Sequence, residues 1–362
     1  MRILRPIMLV AASLMLTPGA FAQVQLTPPA ADSKGAPKKE GPKEKKAPAA
    51  AKKPAPAATP KAAPAATPTP APTATQAAPS VFDDPNVDLV YGAYQRGMYK
   101  TAFDLAMTRA QYNGDPKAMT MLGELYANAM GVKRDYARAA EWYKRAADAG
   151  DREAMFALAM MRLSGRGGST NREEAVKLLA SSAKLGNPKA AYNLALLYLD
   201  GQTLPQDVRR AAELLRVAAD AGNPEAQYAL ATFYKEGTGV EKDAEKAVRL
   251  LQAASLAGNV DAEVEYAIAM FNGSGTPKNQ PAAVALLRKA ARQNSPIAQN
   301  RLARVLAFGT GVQQDKVEAL KWHWIAKSAG KGDPELDEIL ASVPAADRAK
   351  AEEAGRKWLG NK

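Results

Sequence analysis

NPEAQYALATFYKEGTGVEKDAEKAVRLLQAASLAG, residues 223–258, is one unit of a pattern that recurs every 36 residues. Its closing Gly258 has counterparts at Gly114, Gly150, Gly186, Gly222 and Gly330, and Asn294 fills the slot in one copy. Six units follow one another without insertion or deletion: 115–150, 151–186, 187–222, 223–258, 259–294 and 295–330. A fixed period of this size predicts an array of supersecondary units. Such an array works through an extended surface more readily than through a catalytic pocket.

Each unit opens on a residue able to cap a helix: Asp115, Asp151, Asn187, Asn223, Asn259, Ser295. Four of these precede proline (Pro116, Pro188, Pro224, Pro296), which suits the first helical position. Alanine stands three residues after every cap, from Ala118 to Ala298. Leu122, Leu158, Leu194, Leu230 and Leu302 come four residues later, then Tyr126, Tyr198 and Tyr234, all on one helical face. Glycine pairs such as Gly237-Thr-Gly239 stop this helix. A second capping series (Asp135, Asn171, Asp207, Asp243, Asn279, Asp315) starts a second helix. Behind it run Ala139, Ala175, Ala211, Ala247, Ala283 and Ala319. The large apolar slot falls at Trp142, Leu178, Leu214, Leu250, Leu286 and Trp322. One helix–loop–helix unit cannot bury its apolar face alone, so the units must stack.

The pattern resembles the Sel-one-like repeat family, a branch of the tetratricopeptide superhelices. The residues that carry the likeness are Ala226, Leu230, Tyr234, Gly237, Gly239, Val240, Asp243, Ala247, Ala254 and Gly258. The expected fold is an all-α, right-handed α-solenoid of six full repeats plus terminal caps. Three departures stand out: Arg162 in the tyrosine slot, Thr203 in place of a loop glycine, and Tyr266 in place of the leucine. Residues 81–114 read as an N-terminal capping helix pair, with Gly97 between Val87–Gln95 and Tyr99–Gln111. Residues 331–362 read as C-terminal capping helices, their phase slipped by two residues to Asp333-Pro334.

The first eighty residues are of other kinds. Arg2 and Arg5 precede an apolar stretch, Ile7 to Leu16, that ends at Ala20-Phe21-Ala22, the pattern of an export signal cut after Ala22. That stretch is about half the length of a membrane-spanning helix. Residues 23–80 hold 13 of the 25 prolines and nine lysines, with no aromatic residue, which predicts a disordered linker. This linker carries +6 of the chain's net charge of +12. A periplasmic location follows for the mature chain, with no transmembrane segment after signal removal. Its available partners are another envelope protein or peptide segment, or acidic cell-wall polymer bound by the linker, and not nucleic acid.

Catalysis has little to stand on. The chain has one histidine, His323, and no cysteine, so the usual zinc sites and cysteine nucleophiles are excluded. With Trp322 in the apolar slot, His323 is expected on the outer side of its helix. Gly165-Arg166-Gly167-Gly168-Ser169-Thr170 lacks the Gly-Lys-Ser/Thr of a phosphate loop and reads as a helix stop. No catalytic residue, cofactor or metal is expected. The candidate site is the inner face of the superhelix, which the resemblance assigns to the first helices. There the positions five, nine, twelve and thirteen after each cap give Asn128, Phe156, Met160, Leu163, Tyr192, Leu196, Leu199, Asp200, Tyr228, Glu236, Ile268, Phe271 and Asn272. Lys117, Glu153, Lys189, Glu225 and Asp261 form a charged border. An apolar, aromatic-bearing groove with a charged rim suits an extended peptide. The same aromatic residues would also serve to pack one repeat on the next.

Overall fold

A computed structural model describes residues 88–360. The signal at 1–22, the linker at 23–80 and the first residues of the N-terminal cap lie outside the described residues.

Among the described residues there are sixteen helices and no strand. Helices α1 (Leu89–Gln95) and α2 (Tyr99–Tyr112) form the N-terminal pair. The six repeats follow as α3 (Pro116–Asn128) and α4 (Tyr136–Asp148), α5 (Arg152–Ser164) and α6 (Arg172–Lys184), α7 (Pro188–Asp200) and α8 (Val208–Asp220). They continue as α9 (Pro224–Glu236) and α10 (Ala244–Leu256), α11 (Val260–Asn272) and α12 (Gln280–Arg292), α13 (Pro296–Phe308) and α14 (Lys316–Ser328). Helices α15 (Pro334–Leu340) and α16 (Ala345–Gly360) close the array. Every repeat helix has 13 residues, about 20 Å of helix.

The capping series explains this regularity. All twelve cap side chains accept a backbone N–H from the first turn of their helix, for example Ala154 N on Asp151 at 2.7 Å and Lys246 N on Asp243 at 2.8 Å. Each such cap contributes about 1 kcal/mol. First helices end on a left-handed glycine (Gly165, Gly201, Gly237, Gly273, Gly309), except that α3 ends on Ala129 at φ 59°. The second loop glycine has a further role. A Cβ on Gly167 would lie 2.2 Å from Tyr136 O, and one on Gly275 would lie 2.3 Å from Ala244 O. Those carbonyls belong to the first residue of the preceding repeat's second helix, so this glycine lets each loop seat against the repeat before it. Thr203 cannot play that part. It is half-buried and absent from the residues with positive φ, so this loop lacks the left-handed second residue of the others.

The core is made of alanines that let helices approach and of large residues that fill the gaps. Ala139, Ala175, Ala211, Ala283 and Ala319 have no exposed surface, and Leu122, Leu158 and Leu302 have almost none. The second helices correct the sequence reading by one residue. The deepest large slot holds Tyr143, Leu179, Leu215, Leu251, Leu287 and His323, while Trp142, Leu178, Leu250 and Leu286 are half-buried. This slot lies four residues beyond the alanine series, on the same helical face. His323 is therefore not on the outer side of α14. Its side chain is 3% exposed, with Nε2 2.9 Å from Asp337 Oδ1 on α15.

Candidate functional site

The first helices of repeats four to six present one stripe at two, six, nine and thirteen residues after the cap, the i, i+4, i+7, i+11 spacing of a single helical face. On α9 this stripe is Glu225, Ala229, Thr232 and Glu236; on α11 it is Asp261, Glu265, Ile268 and Asn272; on α13 it is Ile297, Arg301, Arg304 and Phe308. These side chains are exposed or half-buried.

The candidate residues divide by depth. Phe156, Tyr192, Leu196 and Leu199 are each at most 8% exposed and belong to the core cluster between repeats two and four. They fill space between neighbouring repeats and leave almost no surface for a partner, which removes them from the expected groove. Met160 and Leu163 pack against that cluster from its edge, as Ile268 and Phe271 do against the next. Tyr228 is half-buried, Asp200 is half-buried, and Glu236 and Asn272 are exposed. Asn128 is spent within the molecule, donating from Nδ2 to Glu124 Oε1 at 2.6 Å. The surface brings together Tyr228, Glu236, Ile268, Phe271 and Asn272 on α9 and α11, joined by the border residues Glu225 and Asp261.

Sequence reasoning missed Glu265, Ile297 and Phe308. The last two are 44% and 47% exposed, an unusual position for large apolar side chains in this molecule. The stripe spacing just given was the signal that could have found them.

Electrostatics distinguish the stretch from α9 to α11. The six second helices carry seventeen Lys and Arg against eight Asp and Glu, whereas the first helices carry seven against eight. Five of those eight carboxylates sit on α9 and α11: Glu225, Glu236, Asp261, Glu263 and Glu265. Burial pushes the Tyr228 hydroxyl up to about 12, and the charges of Asp261, Glu265 and Glu236 add to it. Burial and the neighbouring Glu265 also raise Asp261 above the usual carboxylate range. Lys235 Nζ bridges the two helices to Glu265 at 2.6 Å. Glu263 points inward, 1% exposed, and meets Lys289 of α12 at 2.7 Å. On α13 the sign reverses, but Arg304 is already committed to Asp333 and Glu335 of the C-terminal cap.

Away from this face, a cleft of 410 Å³ is lined by Arg216, Tyr234, Gly239, Val240, Glu241, Lys242, Asp243 and Lys246. Lys246 Nζ lies 3.0 Å from Oδ2 of the cap residue Asp243 and 5.5 Å from the Tyr234 ring centroid. Arg216 Nη2 donates to the Tyr234 hydroxyl at 3.3 Å. Among the described residues no group of three or more His, Asp or Glu is arranged to hold a metal ion, and no helix is long and apolar enough to cross a membrane.

The Sel1 repeat model matches six consecutive segments: 116–151, 152–187, 188–223, 224–259, 260–295 and 296–331. The chain belongs to the Sel1 repeat family. Its matched segments begin one residue after the capping positions. A Sel1 repeat protein from Oxalobacter formigenes shares 29% identity at a TM-score of 0.59, over 66% of this chain and 98% of that one. A protective antigen of uropathogenic Escherichia coli with the same repeat fold shares 24% identity at a TM-score of 0.52. That likeness covers 72% of this chain and 64% of the antigen, and it concerns the fold alone. No curated protein matches the chain. Sel1 repeat proteins generally mediate protein–protein interaction, and the scaffold is generally non-enzymatic.

Arg162 shows how this Sel1 array adapts locally. In repeats one, three and four the tyrosine slot faces a cation twelve residues on, as Tyr126 faces Arg138 at 3.3 Å. In repeat two both members change: Arg162 Nε meets Glu174 Oε2 at 2.8 Å. The pair keeps its attraction with the donor moved to the first helix.

Proposed function

We propose that this protein is an exported, non-enzymatic scaffold or regulator of the cell envelope. It holds a peptide segment of another envelope protein along the first-helix face, centred on α9 and α11. The observation that carries this reading is the first-helix face of α9 and α11: half-buried Tyr228, Ile268 and Phe271 beside Glu225, Glu236, Asp261 and Glu265. Apolar and aromatic side chains give a peptide something to bury, and the carboxylates favour a segment with Lys or Arg between its apolar residues. The export pattern at 1–22 supports the periplasmic setting.

A photo-crosslinking amino acid at Tyr228 or Ile268, in cells that make the full chain, tests the site. The same label at Lys177 on the second-helix side is the control. A discrete partner crosslinked from the first two positions and not from the third supports the reading; equal crosslinking from all three contradicts it. Cell fractionation checks the location, and recovery in the cytoplasm would overturn the envelope assignment.

A second reading rests on the nine lysines of residues 23–80, which favour retention on acidic cell-wall polymer. Deleting 23–80 separates the two: lost wall retention with intact crosslinking assigns retention to the linker and peptide binding to the repeats.

A further inference from the structure

The turns that close the six repeats share one backbone hydrogen bond. The amide at the closing position donates to a carbonyl three residues back. Gly150 reaches Ala147 O, Gly186 reaches Ala183 O and Gly222 reaches Ala219 O, each at 2.9 Å. Gly258, Asn294 and Gly330 make the same bond at 3.1, 3.1 and 3.0 Å. Gly114 holds this position ahead of the first repeat and differs. Among the described residues its N–H has no hydrogen-bond partner, while the amides on either side, Asn113 N and Asp115 N, both donate to Arg109 O, at 3.0 and 3.4 Å. Gly114 is also preceded by asparagine, where the repeats have Ala149, Leu185, Ala221, Ala257, Gln293 and Ala329. Asn113 and Gly114 are exposed, and a Cβ on Gly114 would meet nothing within 4 Å, so no neighbouring element crowds this dipeptide.

We propose that Asn113 is a site of spontaneous deamidation, with water as the only co-reactant, at the joint between the N-terminal helix pair and the repeats. The Gly114 nitrogen, its proton lost to solvent base, attacks Asn113 Cγ. The new C–N bond closes a five-membered succinimide; the Cγ–Nδ2 bond breaks, and the nitrogen takes up a proton and leaves as ammonia. Water then adds to either imide carbonyl and reopens the ring, with nothing oxidised or reduced. Opening at the side-chain carbonyl leaves an aspartyl residue. Opening at the main-chain carbonyl leaves an isoaspartyl residue, whose backbone runs through the former side chain. Glycine favours the attack because it has no Cβ to shield its nitrogen and its backbone turns freely.

A second Asn-Gly step, Asn272–Gly273, is built differently. Asn272 is the last residue of α11, and Gly273 N donates to Ala269 O at 2.8 Å. Attack there requires that bond to break and the helix end to fray, which lowers the reactive population. At Gly114 no such bond stands in the way. The product at position 113 bears on the joint itself. An isoaspartyl residue adds one backbone carbon between two amides that share Arg109 O, so the turn from α2 to α3 must rearrange. Asp115, beside it, caps α3 through Lys117 N at 2.9 Å and pairs with Arg109 at 2.5 Å. A new carboxylate at the C-terminus of α2 also opposes the helix dipole.

Peptide mapping by mass spectrometry of the full chain, incubated in oxygen-18 water at pH 6 and pH 8, tests the site. Conversion at Asn113 should exceed that at Asn272 on the order of 10-fold or more. It should be faster at pH 8, because the attacking amide must lose its proton, and should give isoaspartyl product carrying a single oxygen-18. Gly114→Ala should slow it, and hydrogen exchange on the converted chain should show the last turn of α2 less protected while α7 is unchanged. Equal rates at the two asparagines, a product without isoaspartate, or undiminished conversion in Gly114→Ala would each overturn the site. Unchanged protection of α2 would overturn the rearranged joint. Should Gly114→Ala fail to fold, the comparison of Asn113 with Asn272 in the unaltered chain decides.

Discussion

Replacing Gly275 by alanine probes the contact that stacks one repeat on another. Two effects add. Gly275 has φ +71°, and a non-glycine residue in that region costs about 1–2 kcal/mol. The new Cβ would also lie 2.3 Å from Ala244 O and 2.6 Å from Ala244 C, inside van der Waals contact with backbone that begins α10. No flexible side chain can yield there, so the loop and α10 must separate. Overpacking of this kind costs a further ~1–3 kcal/mol. Gly258→Ala is the matched control, because Gly258 has φ +91° and nothing within 4 Å of the added carbon. Urea titrations followed by far-ultraviolet circular dichroism should show a loss of about 1–2 kcal/mol for Gly258→Ala. The loss for Gly275→Ala should be about 2–5 kcal/mol. Equal midpoints for the two variants would refute the idea that the second loop glycine is an inter-repeat contact.

Further expectations follow from single positions. Ala129→Gly relieves a left-handed alanine at the end of α3 and should stabilise the chain by up to about 1 kcal/mol, read as a raised melting temperature. Ala211→Leu inserts a side chain where Ala211 has no exposed surface, and should cost about 1–3 kcal/mol in the same assay. Arg162→Ala removes one partner of a part-buried pair; if the swapped pair in repeat two is attractive, the double variant with Glu174→Ala should lose less than the sum of the two single variants.

The fold was legible because each local device is written at a fixed offset. Asp115 and its successors cap, glycine stops the helix, and alanine marks the tight approach, so sequence and structure agree helix by helix. Depth within a helix was less legible. Trp142 and Tyr143 are both large and adjacent, and only their offset from Ala139 tells which turns inward. That ambiguity misplaced His323, which occupies a slot held by leucine in four other repeats. The surface was harder still. Tyr192 and Tyr228 share the same offset, yet one is buried and the other half-exposed, because their burial depends on which residues the next repeat brings against them. Nothing in the spacing marks Glu124 as buried; its 3% exposure follows from Tyr143, which packs on Gly123 and donates to the Glu124 carboxylate.

Panning of phage-displayed random peptides on the full chain tests the account's central claim most directly. Enriched peptides should combine Lys or Arg with apolar residues. Their affinity, measured by fluorescence anisotropy, should fall about 10-fold or more in Glu225→Lys/Asp261→Lys and be unchanged in Lys177→Glu. Peptides that bind both variants as well as the parent, or that lose affinity only with Lys177→Glu, would contradict a binding site on the first-helix face.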